Sequence, residues 1–288
     1  MQSNIKKHLN VPKIIAFVIL SIASLLVLIP LFWALVNSFR SADDIYYHPY
    51  SFFPTSFNNW TISNYISIFT SDKYPVGRWI INSLIVSLSS SVLYLIIACL
   101  AAYAFVFLKL RFANGLFLFL IGTMTVPGIV LTVPQFSQIY QMGLNKTLLG
   151  LILPGLGGVY GLFLIRQFFL SIPYDLIESA RADGAKDLTI FTHIVVPLGK
   201  SIIMVQGLFG FLGAWNDLVW AQIIIGQTTP DNWTLSYGLS KVIEGTQTYS
   251  NLGLQLACTI VAMVPIAIMY IFVQKRIVEG VSMTGIKR

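Results

Sequence analysis

The side chains best placed to do chemistry lie in one polar stretch between apolar runs, Ser171 to Ala185, S-I-P-Y-D-L-I-E-S-A-R-A-D-G-A. It opens like a helix: Ser171 can cap free amides, Pro173 is tolerated in a first turn, and Asp175 and Glu178 suit the positive helix end. On a 3.6-residue repeat Ile177, Ala180 and Gly184 share a face, and the small pair four residues apart lets a neighbouring surface approach closely, unless Gly184 instead ends the helix. Glu178, Arg181, Lys186 and Asp187 fall on the polar side, so the segment can present charge to a soluble surface while its apolar side stays tethered. That chemistry is recognition, and no catalytic set accompanies it. His8, His48 and His193 are too scattered for a triad or a metal cluster, and the chain lacks the G-x-x-x-x-G-K-S/T loop that cradles nucleotide phosphates.

The elements that must position this stretch are written in the composition. Of 288 residues, 56% are hydrophobic and 10% are charged, too little polar surface for a soluble fold of that length. The net charge of +7 is better matched to an anionic membrane face than to nucleic acid, because the basic residues flank apolar runs. Cys99 and Cys258 both fall inside such runs and read as small buried hydrophobes, with neither a disulfide framework nor a thiolate metal site implied.

Six segments are long enough to cross a bilayer core of roughly 30 Å as helices that satisfy their own amides. They are Ile14 to Val36, Ile80 to Leu108, Gly115 to Gln135, Thr147 to Leu170, Ser201 to Gly226 and Leu252 to Val273. The first follows Lys6, Lys7 and Lys13 but is longer than a signal-peptide core, and it reads as a retained helix. With the amino terminus assigned to the cytoplasm, thirteen of the eighteen Lys and Arg residues fall inside, leaving Arg40, Lys73, Arg78, Lys146 and Lys241 outside. Both termini are then cytoplasmic. The organisation is a cytoplasmic segment 1–13, a transmembrane domain 14–275 whose one long internal loop contains residues 171–197, and a cytoplasmic tail 276–288.

At that loop the sequence resembles the permease subunits of binding-protein-dependent ABC importers, whose signature is E-A-A, three residues, G, nine residues, then I-x-L-P. Glu178, Ala180, Gly184, Ile194 and Pro197 occupy the expected places, while Ser179 stands for the second-place Ala and Val196 for Leu. The resemblance implies that this segment is a coupling helix docking in a groove of a separate ATP-hydrolysing subunit, with Glu178 meeting a basic residue there. Ser179, Ala180, Arg181, Asp183, Gly184, Ala185, Ile194 and Pro197 complete the coupling site, with Gly184 permitting a tight turn. Asn64-Tyr65, Asn82-Ser83, Tyr103-Ala104-Phe105 and Trp215-Asn216-Asp217 are similar to the carbohydrate-importing branch, and the ending E-G-V-S-M-T-G-I-K-R is similar to the tail of maltose-type permeases.

The resemblance implies an all-α, six-helix type I importer permease of the bacterial plasma membrane that is not itself an enzyme. Its expected partners are a second permease subunit, two copies of a cytoplasmic ATPase that holds ATP and Mg²⁺, an extracellular solute-binding protein and a sugar or oligosaccharide cargo. No cofactor is expected on this chain. Asp217, the one acid placed within a span, is a functional candidate, and with Asn82, Gln135 and Asn216 it forms a candidate translocation pathway. It could equally orient Asn216 or sit solvated near the interface. Gln138, Gln206 and Gln222 could also bond hydroxyls, and Trp215 and Trp220 could stack on a pyranose, although such residues more often bond between helices or line an aromatic belt. Gly157 and Gly161, with Gly207, Gly210, Gly213 and Ala214, suit close helix packing, while Pro127, Pro134, Pro154 and Pro265 interrupt spans. An ion-coupled secondary transporter would carry several intramembrane charges and inverted repeats; a receptor or assembly protein would not need a helix shaped for an ATPase groove. A permease for a non-sugar solute is the remaining alternative.

Overall fold

A computed structural model describes residues 11–71, 73–108, 110–245 and 252–284, with side chains from residue 12 to residue 275 among them. Lys6, Lys7, His8, Lys109, Lys287 and Arg288 lie outside the described residues, as do most of segment 1–13 and the end of the tail 276–288. The chain divides into two units, Met1–Thr70 with Ile243–Val261, and Ser71–Val242 with Ala262–Arg288.

In the first unit α1 (Val11–Ser38) is followed by α2 (Ala42–Tyr47) and α3 (Ser63–Thr70). Apolar side chains of α1 from Ile14 to Leu35 point away from the rest of the protein, the surface expected of a helix whose solvent is lipid. The turn after it closes on a buried cation. Arg40 is fully enclosed and donates from Nε to Asp44 Oδ2 at 2.7 Å, from Nη1 to Asn37 Oδ1 at 2.7 Å and Ser51 O at 2.9 Å, and from Nη2 to the carbonyls of Asp44 and His48 at 3.1 Å each. Asp44 also accepts from Asn59 Nδ2 at 2.9 Å and from the Thr55 hydroxyl. Asn64 donates to the Ser38 and Arg40 carbonyls at 2.9 Å each. Gly253 leaves room for that carboxamide, since a Cβ there would stand 2.7 Å from Asn64 Nδ2.

The second unit holds α4 (Val76–Phe107), α5 (Ala113–Thr123), α6 (Thr132–Gln141), α7 (Leu148–Ile152), α8 (Val159–Phe169), α9 (Tyr174–Ala182), α10 (Asp187–Ile190), α11 (Val196–Leu198), α12 (Lys200–Trp215) and α13 (Val219–Ile225). Helices α14 (Leu235–Gly245) and α15 (Leu252–Thr284) each have residues in both units. The helix α4, 32 residues without a proline, is flanked by α8 and α12. Ser91 Oγ donates to the Gly207 carbonyl at 2.7 Å, and Gly210 lies within 3.3–3.5 Å of Ser91 and Tyr94 at its Cβ position.

Close packing within this chain uses some of the expected small residues and not others. Tyr94 lies across Gly158 and Gly161, where any Cβ would collide with its ring or hydroxyl, whereas Gly157 and Gly213 face open space. The close approach therefore uses glycines three residues apart on α8.

Among the described residues three helices, Pro12–Ser38, Val76–Phe107 and Leu252–Lys275, are long and apolar enough to cross a bilayer, and counting each bent pair as one span gives six. The bends fall near residues that interrupt the amide ladder: 92° in the break that ends at Pro127, 45° at Gly158 beyond Pro154, and 81° at Gly199 beyond Pro197. The span expected over Ser201 to Gly226 is not continuous, because α12 ends at Trp215 and α13 begins at Val219.

Asp44 is the pH-sensitive part of the first unit. Burial opposes its ionisation, but the hydrogen bonds from Thr55 and Arg40, with the Arg40 charge, outweigh burial and hold the carboxyl below its ordinary value of 3.8. A depressed folded-state value means that the contribution is complete above pH 3.8 and is lost as pH falls through the lower folded value. Arg40→Gln, which leaves this carboxylate buried without its cation, is expected to cost about 3–5 kcal/mol in thermal unfolding of the purified protein. Asp44→Asn should flatten the acid limb of the same stability curve.

Candidate functional site

The loop after α8 folds around an apolar seal. Ile177, Ile190 and Val195 are fully enclosed and belong to one core with Tyr103, Phe107, Phe169 and Ile172. Ile177 faces inward on a single helical stripe, so Glu178 and Ser179, the next two residues, are turned outward and exposed. Asp183, Gly184 and Pro197 are likewise exposed, while Ala180, Arg181, Ala185 and Ile194 are half-buried, with Ala180, Ala185 and Ile194 packed on the seal.

The start of this helix differs from expectation. Ser171 Oγ donates to the Phe168 carbonyl at 2.6 Å, finishing α8, and Pro173 takes the N-cap position of α9. A short proline-led entry leaves Ser171 a turn too early to cap it. The end follows the second of the two readings for Gly184. That residue has φ +83°, its N–H meets the Arg181 carbonyl at 3.0 Å, and the Ala185 N–H meets the Ala180 carbonyl at 2.9 Å. This pairing is the Schellman arrangement, in which a left-handed residue just past the helix satisfies its last carbonyls. Gly184 therefore offers no packing face with Ile177 and Ala180, and nothing lies within 4 Å of its Cβ position. Beyond it α10 widens into a π turn over Phe191–Val195 immediately before Val196-Pro197, where Pro197 has no N–H to give to the His193 carbonyl.

Charges knit the loop to α4. Arg181 Nη2 donates to the Phe107 carbonyl and to Asp187 Oδ1, both at 2.9 Å, and Nη1 donates to Tyr174 Oη at 3.2 Å. Tyr103 Oη donates to the same Asp187 oxygen at 3.0 Å. The Arg181 and Tyr103 hydrogen bonds hold the Asp187 carboxyl below the usual carboxylate range, and the Asp187 partner raises Arg181 in turn. The sequence marked Tyr103 only through the resemblance of Tyr103-Ala104-Phe105 to the carbohydrate-importing branch, and nothing in it disclosed the partner, which lies 84 residues away.

A second polar region is a cavity of about 570 Å³ among α4, the bent α7–α8 segment and α12–α13. Gln135 and Asp217 line it, together with Ser90, Tyr94, Tyr160 and Gln206. Asp217 stands in the break between α12 and α13 and not within a helix, and its Oδ1 accepts from the Trp220 N–H at 3.0 Å as a cap on α13. Asn82 is placed elsewhere: it donates to the Asp231 and Trp233 carbonyls at 2.8 and 2.9 Å, tying α4 to the turn before α14. Asn216 ends α12, outside the cavity lining. Trp215 is buried and stacked on Phe211 with ring centres 5.5 Å apart, whereas Trp220 lines the cavity and donates to the Gly150 carbonyl at 3.0 Å. Sequence reasoning did not single out Ser90 or Tyr94, because a serine and a tyrosine inside an apolar run carry no periodic signal. Among the described residues no cluster of three His, Cys, Asp or Glu could hold a metal ion.

A family model described as "Binding-protein-dependent transport system inner membrane component" matches residues 94–279. The chain is 31% identical to the inner membrane ABC transporter permease protein YcjP of Escherichia coli over 93% of its length and 94% of that protein. It is 29% identical to the diacetylchitobiose uptake system permease protein NgcG of Streptomyces coelicolor, over 93% of this chain and 87% of that one. It is 26% identical to the sn-glycerol-3-phosphate transport system permease protein UgpE of Agrobacterium fabrum, over 95% and 97%. In fold it is similar to a chain of a bacterial ABC transporter involved in import of the acidic polysaccharide alginate, with a TM-score of 0.79 at 23% identity, covering 95% of this chain and 99% of the other.

The Schellman glycine generates a local test. Gly184→Val places a β-branched residue at φ +83° and is expected to weaken the end of α9 by about 1–3 kcal/mol, while Gly184→Asn, which tolerates that conformation, costs far less. Hydrogen exchange of amides 182–186 in the two variants reads the difference.

Proposed function

The chain belongs to the family of binding-protein-dependent transport system inner membrane components, and from that membership we propose that it is one of two permease subunits of an ATP-driven importer for a neutral sugar or oligosaccharide. A permease of this family works with a solute-binding protein and an ATPase, and this chain supplies the membrane-spanning part. In the proposed assembly a second permease lies beside it, two ATPase subunits with ATP and Mg²⁺ sit at its cytoplasmic side, and both termini are cytoplasmic. The excess of Lys and Arg on the loops of that side supports the orientation.

The observation that carries the reading is the loop whose apolar stripe is sealed to the bundle while Glu178, Ser179 and Asp183 are left exposed at one end of a rigid helix. Closure of an ATPase dimer around that helix displaces it as a body, because its inward face is packed on Phe107 and Phe169 and its end is locked by Gly184. The bundle then exchanges its openings.

The cavity supports the cargo class. Ser90 Oγ and Gln206 Nε2 are buried there with no hydrogen-bond partner among the described residues, a state that a solute hydroxyl or water would relieve. Its volume falls in the roughly 300–1,000 Å³ range of small-ligand sites. Among the described residues lining it there is no Lys or Arg to meet an anion, and the one charged group is Asp217. A neutral polyhydroxylated solute suits that lining better than a phosphate ester or a uronate.

The test uses the importer co-purified with its partners. Glu178→Ala and Gly184→Asp are each expected to insert in the membrane normally yet lose ATPase association or solute-stimulated hydrolysis. Gly184→Asn, of the same shape and without the added charge beside Asp183, should retain more of both. Unchanged coupling in Glu178→Ala and Gly184→Asp would remove the docking role from this loop.

A further inference from the structure

The junction that joins α9 to α4 has a form that simple packing does not require. The apolar seal of Ile177, Ile190 and Val195 already holds the loop against the bundle. Beyond it, one carboxylate oxygen, Asp187 Oδ1, receives both the Tyr103 hydroxyl and the Arg181 guanidinium, and the same Arg181 nitrogen also reaches the Phe107 carbonyl at the end of α4. Three short segments therefore share one charge-assisted node: the C-terminal turn of α4, the last turn of α9 and the first turn of α10. Tyr103 is itself fixed, 5% exposed, with Phe107 and Phe191 rings 5.3 and 5.5 Å away.

The position of α4 gives the node its consequence. The spans on either side of it in this unit are bent at Pro127, Gly158 and Gly199 and can absorb a displacement locally. The helix α4 is unbroken from Val76 to Phe107 and lines the cavity at Ser90 and Tyr94. Thirteen residues separate Tyr103 from Ser90, a distance of about 20 Å along one rigid rod at 1.5 Å per residue.

We propose that Tyr103, Asp187 and Arg181 are positioning residues that carry displacement of α9 to α4, and through α4 to the cavity wall at Tyr94 and Ser90. The inference rests on the docking role of α9 proposed above. It assigns the transmitting element to the second span, in addition to the fourth and fifth spans that flank the loop in sequence.

Two variants weaken the node and leave Glu178, Ser179 and Asp183 in place: Tyr103→Phe deletes one hydroxyl from a buried ring, and Asp187→Asn deletes one charge. In the co-purified importer, both are expected to bind the ATPase at wild-type stoichiometry and keep basal hydrolysis. Solute-stimulated hydrolysis and solute moved per ATP should fall about fivefold or more, the scale of a coupling free energy between two sites. Asp187→Glu should recover part of the loss. Stimulation at the wild-type level in both Tyr103→Phe and Asp187→Asn would overturn the proposal, and so would loss of ATPase binding in these variants, since that marks a role in folding or docking alone. Glu178→Ala, measured beside them, keeps the two readings apart. If it binds and couples normally the docking role fails, whereas if it fails while Tyr103→Phe couples normally only the node is lost.

Discussion

Everything that makes the loop useful depends on burial of Ile177, Ile190 and Val195 against Phe107 and Phe169. A helix of nine residues has little stability of its own in water, and its conformation is set by the surface its apolar stripe covers. Fully burying an aliphatic side chain is worth roughly 1.5–3 kcal/mol; Ile177 contributes this to α9, and Ile190 and Val195 anchor the segments that follow it. The stripe also decides direction. With Ile177 inward, Glu178 and Ser179 can only face out, and the charged partners Arg181 and Asp187 fall at the margin, where they reach the end of α4.

The lipid-embedded part obeys a different constraint. Apolar solvent leaves no partner for a free amide, so a break in a spanning helix persists only where protein or a polar cavity covers it. In the second unit two of the breaks border the same cavity: Gly158 and Pro154 line one side and Asp217 another. Tyr94 fills the space those glycines leave, its hydroxyl 3.4 Å from Gln206 Oε1. The irregular backbone and the polar lining thus occur together. The cavity proposed for a hydroxyl-rich solute and the breaks in the helices are then in the same region of the fold.

How much of this was legible in the sequence differs by residue. The first, second and sixth spans were readable because their apolar runs are continuous, as α1, α4 and α15 are. The bends of the others were not, because hydropathy sums side chains and carries no record of backbone direction. Prolines marked the neighbourhood of the bends but not which of them turns the chain: Pro134 sits inside α6, while the 92° turn falls between Thr123 and Gly128 and ends at Pro127. Gly184 was readable as a terminator because a glycine after a short helical pattern has one common reason to be there. Asn82 looked like a pathway residue because an amide in a span stands out, yet its partners are carbonyls 149 and 151 residues away, beyond the reach of local pattern. Tyr103 was marked only by the resemblance of Tyr103-Ala104-Phe105 to known permeases, and no local pattern disclosed its bond to Asp187. The likeness to known permeases and the spacing around Glu178 both pointed to the loop, but only the packing of Ile177 and the hydrogen bonds of Arg181 say how it is held.

The central claim, an exposed Glu178 on the cytoplasmic side that meets another subunit, is open to one direct measurement. Cys99 and Cys258 are buried, at 4% and 2% exposure, so a cysteine introduced as Glu178→Cys is the site a membrane-impermeant maleimide should find. The account predicts labelling in inside-out vesicles and not in right-side-out ones, and protection from label when the ATPase is assembled on the permease. Labelling from the external face, or labelling undiminished in the assembled importer, would contradict it.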